Sequence, residues 1–167
     1  AGTDILSELQ AAVTGVGSAL AASKEAEPPG GLRRATRFDF TPSISPGSIV
    51  FFLERHDDDA LTGLPQDSFA DTATGRLVDL LAVADADDPE QLSTVTENMR
   101  LLGPKTASHL LKLTERLLSA GVSLDLGQLT RAGRRRRSKL QERGCSVIRE
   151  AAERNQERTS FGDKVGR

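Results

Sequence analysis

Between Phe69 and Gly121 the apolar residues recur at intervals of three and four, and proline or glycine punctuates the pattern. Phe69, Ala73, Leu77, Leu80 and Ala84 form the first stripe. Leu92, Val95, Met99 and Leu102 form the second, and Ala107, Leu110, Leu111, Thr114, Leu117 and Leu118 the third. Such spacing puts each set on one side of a helix with 3.6 residues per turn. Asp88 is placed to cap the second helix, with Pro89 at its first position and Gln91 at the capping-box position. Gly103-Pro104 ends that helix and opens the next, and Gly121 suits a left-handed C-terminal cap. Three consecutive helices joined by short breaks must bury their stripes against one another, so the chain is committed to a largely helical core.

The flanking segments add a sheet and two more helices. Ile5, Leu6, Leu9, Val13, Val16 and Leu20 read as one face of an N-terminal helix with Thr3 as its N-cap. Gly15 and Gly17 weaken its second half by about 1 kcal/mol each. A linker follows at residues 22–34, ended by Pro-Pro-Gly-Gly. Phe38 and Phe40 alternate with Asp39, and residues 49–53 are apolar on both faces; these are two strands of a hairpin closed by a wide loop rich in Pro and Gly. Val122, Leu124 and Leu126 alternate with Ser123 and Asp125 as a third strand. The last helix is placed at 134–157, with Leu140, Gly144, Val147, Ile148 and Ala151 as its stripe. The expected fold is therefore α+β: a single helix-dominated domain over residues 1–157 with a small antiparallel sheet, in the order α-β-β-α-α-α-β-α. Residues 158–167 read as a tail or the start of a further strand.

Composition narrows the function. There are six Phe and no Trp or Tyr, so stacking platforms for single-stranded bases are scarce. The single cysteine, Cys145, excludes an internal disulfide and points to a reducing, cytoplasmic setting. No apolar run approaches the roughly 20 residues of a membrane span, and no signal peptide is visible. The first residue is Ala1, and the closing SFGDKVGR reads like a strand entrance, so the natural polypeptide is expected to continue.

Charge is divided along the chain. Residues 1–127 carry 10 Lys and Arg against 19 Asp and Glu, whereas residues 128–167 carry 12 against 5. The basic end contains four consecutive arginines, and Arg131, Arg134, Arg135, Arg136, Arg137 and Lys139 are the candidate contacts to an anionic partner. If the run opens a helix, its cations oppose the macrodipole, and an external phosphate would compensate them. The alternative is a solvated surface paired with the acidic body.

A second candidate is the stretch Gly103-Pro104-Lys105-Thr106-Ala107. It resembles the second half of the helix-hairpin-helix motif of DNA-repair proteins, with the motif's first glycine replaced by Leu101. The resemblance covers about a dozen residues and implies phosphate contacts at Gly103, Lys105 and Thr106. Glu54, His56, Asp57, Asp58 and Asp59 could in principle hold a hard cation, but the calcium-loop spacing is absent and no metal is assigned. No sequence motif of a known catalytic class occurs. Of the two histidines, His56 and His109, the second lies beside a leucine stripe. Cys145 has Arg143 and Arg149 nearby, which favour a thiolate, but it also sits next to an apolar stripe and suits a small half-buried position.

The expectation is a non-catalytic binding or scaffolding module of a larger cytoplasmic protein or complex, with no cofactor and no membrane association. Its partner is a protein or the rest of a longer chain. The alternative is a sequence-independent DNA- or RNA-binding protein using segment 131–139. A further alternative is an enzyme whose site is completed elsewhere.

Overall fold

The computed structural model describes residues 2–24, 31–46, 48–55 and 67–165. Helix α1 (Gly2–Ala22) is followed by a four-residue helix α2 (Leu32–Ala35) and the hairpin of β1 (Phe38–Ser45) and β2 (Ser48–Arg55). Helices α3 (Phe69–Asp85), α4 (Gln91–Leu102) and α5 (Pro104–Ala120) come next, then strands β3 (Ser123–Leu129) and β4 (Arg135–Leu140), and finally α6 (Glu142–Val165). The chain is a helix-dominated α+β fold, as its periodicity requires.

The helix ends follow their local chemistry. Ser68 caps α3 with a capping box: its hydroxyl accepts from Asp71 N–H at 3.1 Å, while the Asp71 carboxylate accepts from Ser68 N–H at 3.1 Å. Pro104 opens α5, and Gly121 closes it in the left-handed region at φ 65°. Helix α4 begins two residues later than its sequence suggests. Its N-cap is Glu90, whose N–H donates to the Asp88 carboxylate, and Gln91 is buried with its amide donating to the Ala84 carbonyl instead of closing a capping box.

The core lies among the helices. Ile5, Leu9, Val13, Val16 and Leu20 of α1 are buried with Leu77, Leu80 and Leu81 of α3 and Leu110, Leu113 and Leu117 of α5. The segment Asp4–Ala22 meets, by length and composition, the requirement for a membrane span that sequence reading found nowhere. In this fold its apolar side is buried against α3 and α5.

The sheet has four strands in the order β1-β2-β3-β4. Two antiparallel hairpins, β1–β2 and β3–β4, are joined side by side through a parallel pairing of β2 with β3, Ser48 opposite Ser123 and Phe52 opposite Gly127. Helices cover one face of β3–β4: Leu124, Leu126, Ser138 and Leu140 are buried there against the α3 side.

Further expectations change. Strands β1 and β2 pair out to Ser45↔Ser48, so their hairpin is not closed by a wide loop; Thr41 to Ser45, read as part of that loop, belong to β1. Arg135 to Arg137 belong to strand β4, Arg134 closes the turn before it, and the last helix starts only at Glu142. Residues 158–165, read as a tail or strand entrance, continue α6. Part of the linker is the helix α2; residues 25–30 of it lie outside the described residues, as does the acidic segment His56–Asp59.

Candidate functional site

The β3–β4 hairpin turns through residues 130–134. Thr130 N–H donates to the Arg134 carbonyl at 2.9 Å, Gly133 N–H to the Thr130 carbonyl at 2.9 Å, and Arg134 N–H to the Thr130 hydroxyl at 3.1 Å. Gly133 takes φ 84°, which explains a glycine at this point of the turn. The turn fixes the register Leu129↔Arg135, Gly127↔Arg137 and Asp125↔Lys139. Because a strand alternates its side chains, the consecutive arginines are divided between two faces. Arg135, Arg137 and Lys139 share the outer, exposed face with Asp125, Gly127 and Leu129, while Arg136 turns inward over Gly75 of α3.

The argument from the helix dipole therefore fails for this segment, since no helix end lies under it. Most of the run meets carboxylates of the acidic body. Arg137 holds Asp125 with two bonds, Nε–Oδ1 at 3.0 Å and Nη2–Oδ2 at 2.6 Å. This contact keeps the Asp125 carboxyl below the usual carboxylate range. Arg136 Nη1 lies 3.5 Å from Asp79, and Arg134 Nη1 lies 3.9 Å from Asp67. Arg131 donates its backbone N–H to the Asp71 carboxylate at 2.9 Å, tying the turn to the capping box of α3. Arg135 and Lys139 are exposed and form no ion pair among the described residues. Leu129, 61% exposed, stands directly opposite Arg135.

The Gly103-Lys105-Thr106 candidate has a different fate. One residue, Gly103 at φ 88°, separates α4 from α5, so there is no hairpin turn between them. Thr106 is fully buried and donates its hydroxyl to the Leu102 carbonyl at 2.9 Å, which removes it as a phosphate contact. Lys105 is exposed. It lines a cavity of about 690 Å³ together with Arg33, Arg37 and His109. Spacing along the chain does not bring Arg33 and Arg37 together with Lys105, which lies 72 and 68 residues further on. The signal that was present is the polar row Ser7, Gln10, Thr14 and Ser18 on α1, which lines the same cavity.

His109 Nδ1 lies 2.9 Å from Glu8. Cys145 is buried, and burial, with Asp85 and Glu142 nearby, pushes its thiol up to about 11. The neighbouring arginines therefore do not make it a thiolate. Among the described residues, no group of three or more His, Cys, Asp or Glu side chains could hold a metal ion. Comparison with protein-family models, with curated proteins and with solved structures finds no match to this chain.

Proposed function

We propose that this domain is a non-catalytic binding module that docks a protein partner through the outer face of β3–β4. The observation that carries the reading is Leu129, exposed and directly opposite Arg135, which forms no ion pair among the described residues, with Lys139 on the same face. An apolar anchor beside arginine is the composition of an interface centre, and a row of fixed cations supplies specificity at the rim. The matching partner surface is an apolar hollow edged by carboxylates.

The nucleic-acid reading stands second. Three of the four consecutive arginines already face carboxylates, and Asp125 puts negative charge in the middle of the surface where a phosphate backbone would run. The same charges also have a plain structural use: β4 is an edge strand, and cations along an edge discourage pairing with another sheet.

The test is quantitative affinity capture with the wild-type chain and the Leu129→Asp/Arg135→Glu variant, after equal thermal stability has been verified. A partner retained by the wild type and reduced at least about tenfold by the variant is expected, matching the loss of one interface anchor. An identical bound set from both proteins would sink the reading. In parallel, labelled duplex and single-stranded oligonucleotides are titrated at about 50 and 200 mM salt. Binding that collapses with salt and vanishes in Arg135→Gln/Lys139→Gln would assign the face to nucleic acid.

A further inference from the structure

We infer that the cavity between α1, α2 and the first turn of α5 binds a small phosphorylated polyol. This inference is independent of the sheet face. At about 690 Å³ the cavity falls within the usual range for small-molecule sites. Three cations converge on it from separate elements: Arg33 from α2, Arg37 from the residue before β1, and Lys105 from the start of α5. None of the three forms an ion pair with a carboxylate among the described residues. Among the described residues no carboxylate lines the cavity, and Glu8, which contacts the lining residue His109, is engaged: His109 Nδ1 lies 2.9 Å from its Oε2 and Arg116 Nε lies 3.9 Å from its Oε1.

The cavity is also built rigidly. Gln10 donates its amide to the Thr36 carbonyl at 2.7 Å, and the hydroxyls of Thr14 and Thr36 lie 2.9 Å apart. Thr36 is fully buried and donates its own hydroxyl to the Leu32 carbonyl at 2.9 Å. These bonds pin the corner that carries Arg33 and Arg37 onto α1, so the positions from which both guanidinium groups extend are fixed before any ligand arrives. Helix α5 adds to the positive field. It has no side-chain cap and no acidic residue in its first turn, while Lys105 stands there.

The chemistry of the lining names the ligand class. Guanidinium forks match phosphoryl oxygens in shape and charge, and an ammonium adds a point charge. The α1 side of the lining is neutral and polar: Gln10 and Thr14 are held by Thr36, while the hydroxyls of Ser7 and Ser18 lie in exposed residues. The Ser7 and Ser18 hydroxyls, which both donate and accept, suit the hydroxyls of a sugar or polyol body. Three cations around one cavity favour a ligand with more than one phosphoryl group.

The experiment is thermal denaturation of the full chain with fructose 1,6-bisphosphate, with inorganic pyrophosphate, free fructose and sulfate as comparison probes. Binding of the bisphosphate should raise Tm by about 3–6 °C at ten times its Kd. Free fructose and sulfate should leave Tm unchanged, and pyrophosphate should give a smaller rise. The Arg33→Gln/Arg37→Gln/Lys105→Gln variant changes only exposed side chains and should lose the rise. Amide chemical-shift changes at Gln10 and Thr14 should locate the ligand. No rise with either phosphate up to about 10 mM, the weak-binding limit, would overturn the proposal. So would an equal rise in the variant, or an equal rise with sulfate.

Discussion

Replacing Gly15 with alanine should destabilise the protein, although helix propensity alone argues the opposite. In an isolated helix, alanine is better than glycine by about 0.8–1.0 kcal/mol. In this fold Gly15 faces Thr106 of α5, and an added Cβ would lie 2.5 Å from the Thr106 hydroxyl oxygen and 3.3 Å from its Cα. The second distance decides the sign, because a backbone atom cannot swing aside. Thr106 is fully buried, and its hydroxyl is held by the Leu102 carbonyl. Forcing α1 and α5 apart costs about 1–3 kcal/mol, and losing the hydroxyl bond costs about 1 kcal/mol more. After subtraction of the propensity gain, Gly15→Ala should lose about 2 kcal/mol, which for a chain of this size lowers Tm by about 4–8 °C. Calorimetry and urea denaturation measure both quantities. Thr106→Ala removes the nearest contacting atom, so the double variant should recover at least about 0.5 kcal/mol relative to additivity. Gly75→Ala is the matched control: its Cβ would meet the tip of the Arg136 side chain, which can move, so stability should be unchanged or rise by up to about 1 kcal/mol. A Gly15→Ala protein as stable as the wild type would refute the reasoning.

Asp71→Ala should cost about 2–4 kcal/mol, because it leaves both Ser68 N–H and Arg131 N–H without their acceptor; a loss below about 1 kcal/mol in urea denaturation would show that the carboxylate does not hold the turn. Arg137→Gln should cost little stability at pH 7, since its guanidinium is exposed and the pair is screened by solvent. The Asp125 carboxyl is depressed in the folded protein, so its contribution is present above the unfolded carboxylate pKa of about 3.9 and is lost as pH falls through the lower folded value. The stability difference between wild type and Arg137→Gln should therefore shrink on acidification, and the ¹³C titration of Asp125 should move upward in the variant; an unmoved titration contradicts the pair. Cys145, with its thiol pushed up to about 11, should react with an aromatic disulfide reagent only as fast as the protein unfolds, and prompt labelling of the folded chain would contradict its burial.

The helical part of this fold was legible because its signal is physical and local. Leu77, Leu110 and Leu117 fall on stripes that can be buried only one way, and Pro104 and Gly121 mark ends by their own chemistry. Strand β4 was not legible for an equally physical reason. Only Ser138 and Leu140 are buried along it, so the alternation that betrays a strand is carried by two residues, while arginine and lysine are good helix formers. Gly133, following the alternating strand β3, was the available clue to a hairpin. The outer-face candidates Arg135, Arg137 and Lys139 do stand together, as their concentration in one basic segment suggests, but the helix end that would have left their charge uncompensated does not exist. Arg33, Arg37 and Lys105 meet only through tertiary packing, which no spacing along the chain records.

The pairing of β2 with β3 has a consequence for how the protein comes apart. Each hairpin closes over a short stretch of chain, but the parallel row between them waits on a crossover that contains three helices. Among the described residues, the extensive contacts of the β1–β2 hairpin outside itself are with β3. That hairpin is thus a leaf sewn on by a single seam. Hydrogen exchange should find the seam opening as one unit below the free energy of global unfolding. Once open, β3 offers a bare strand edge, and the hairpin of a neighbouring molecule carries the sequence that fits it. Exchange of leaves between copies is the natural misassembly of this fold, and concentration during refolding is the variable that would bring it out.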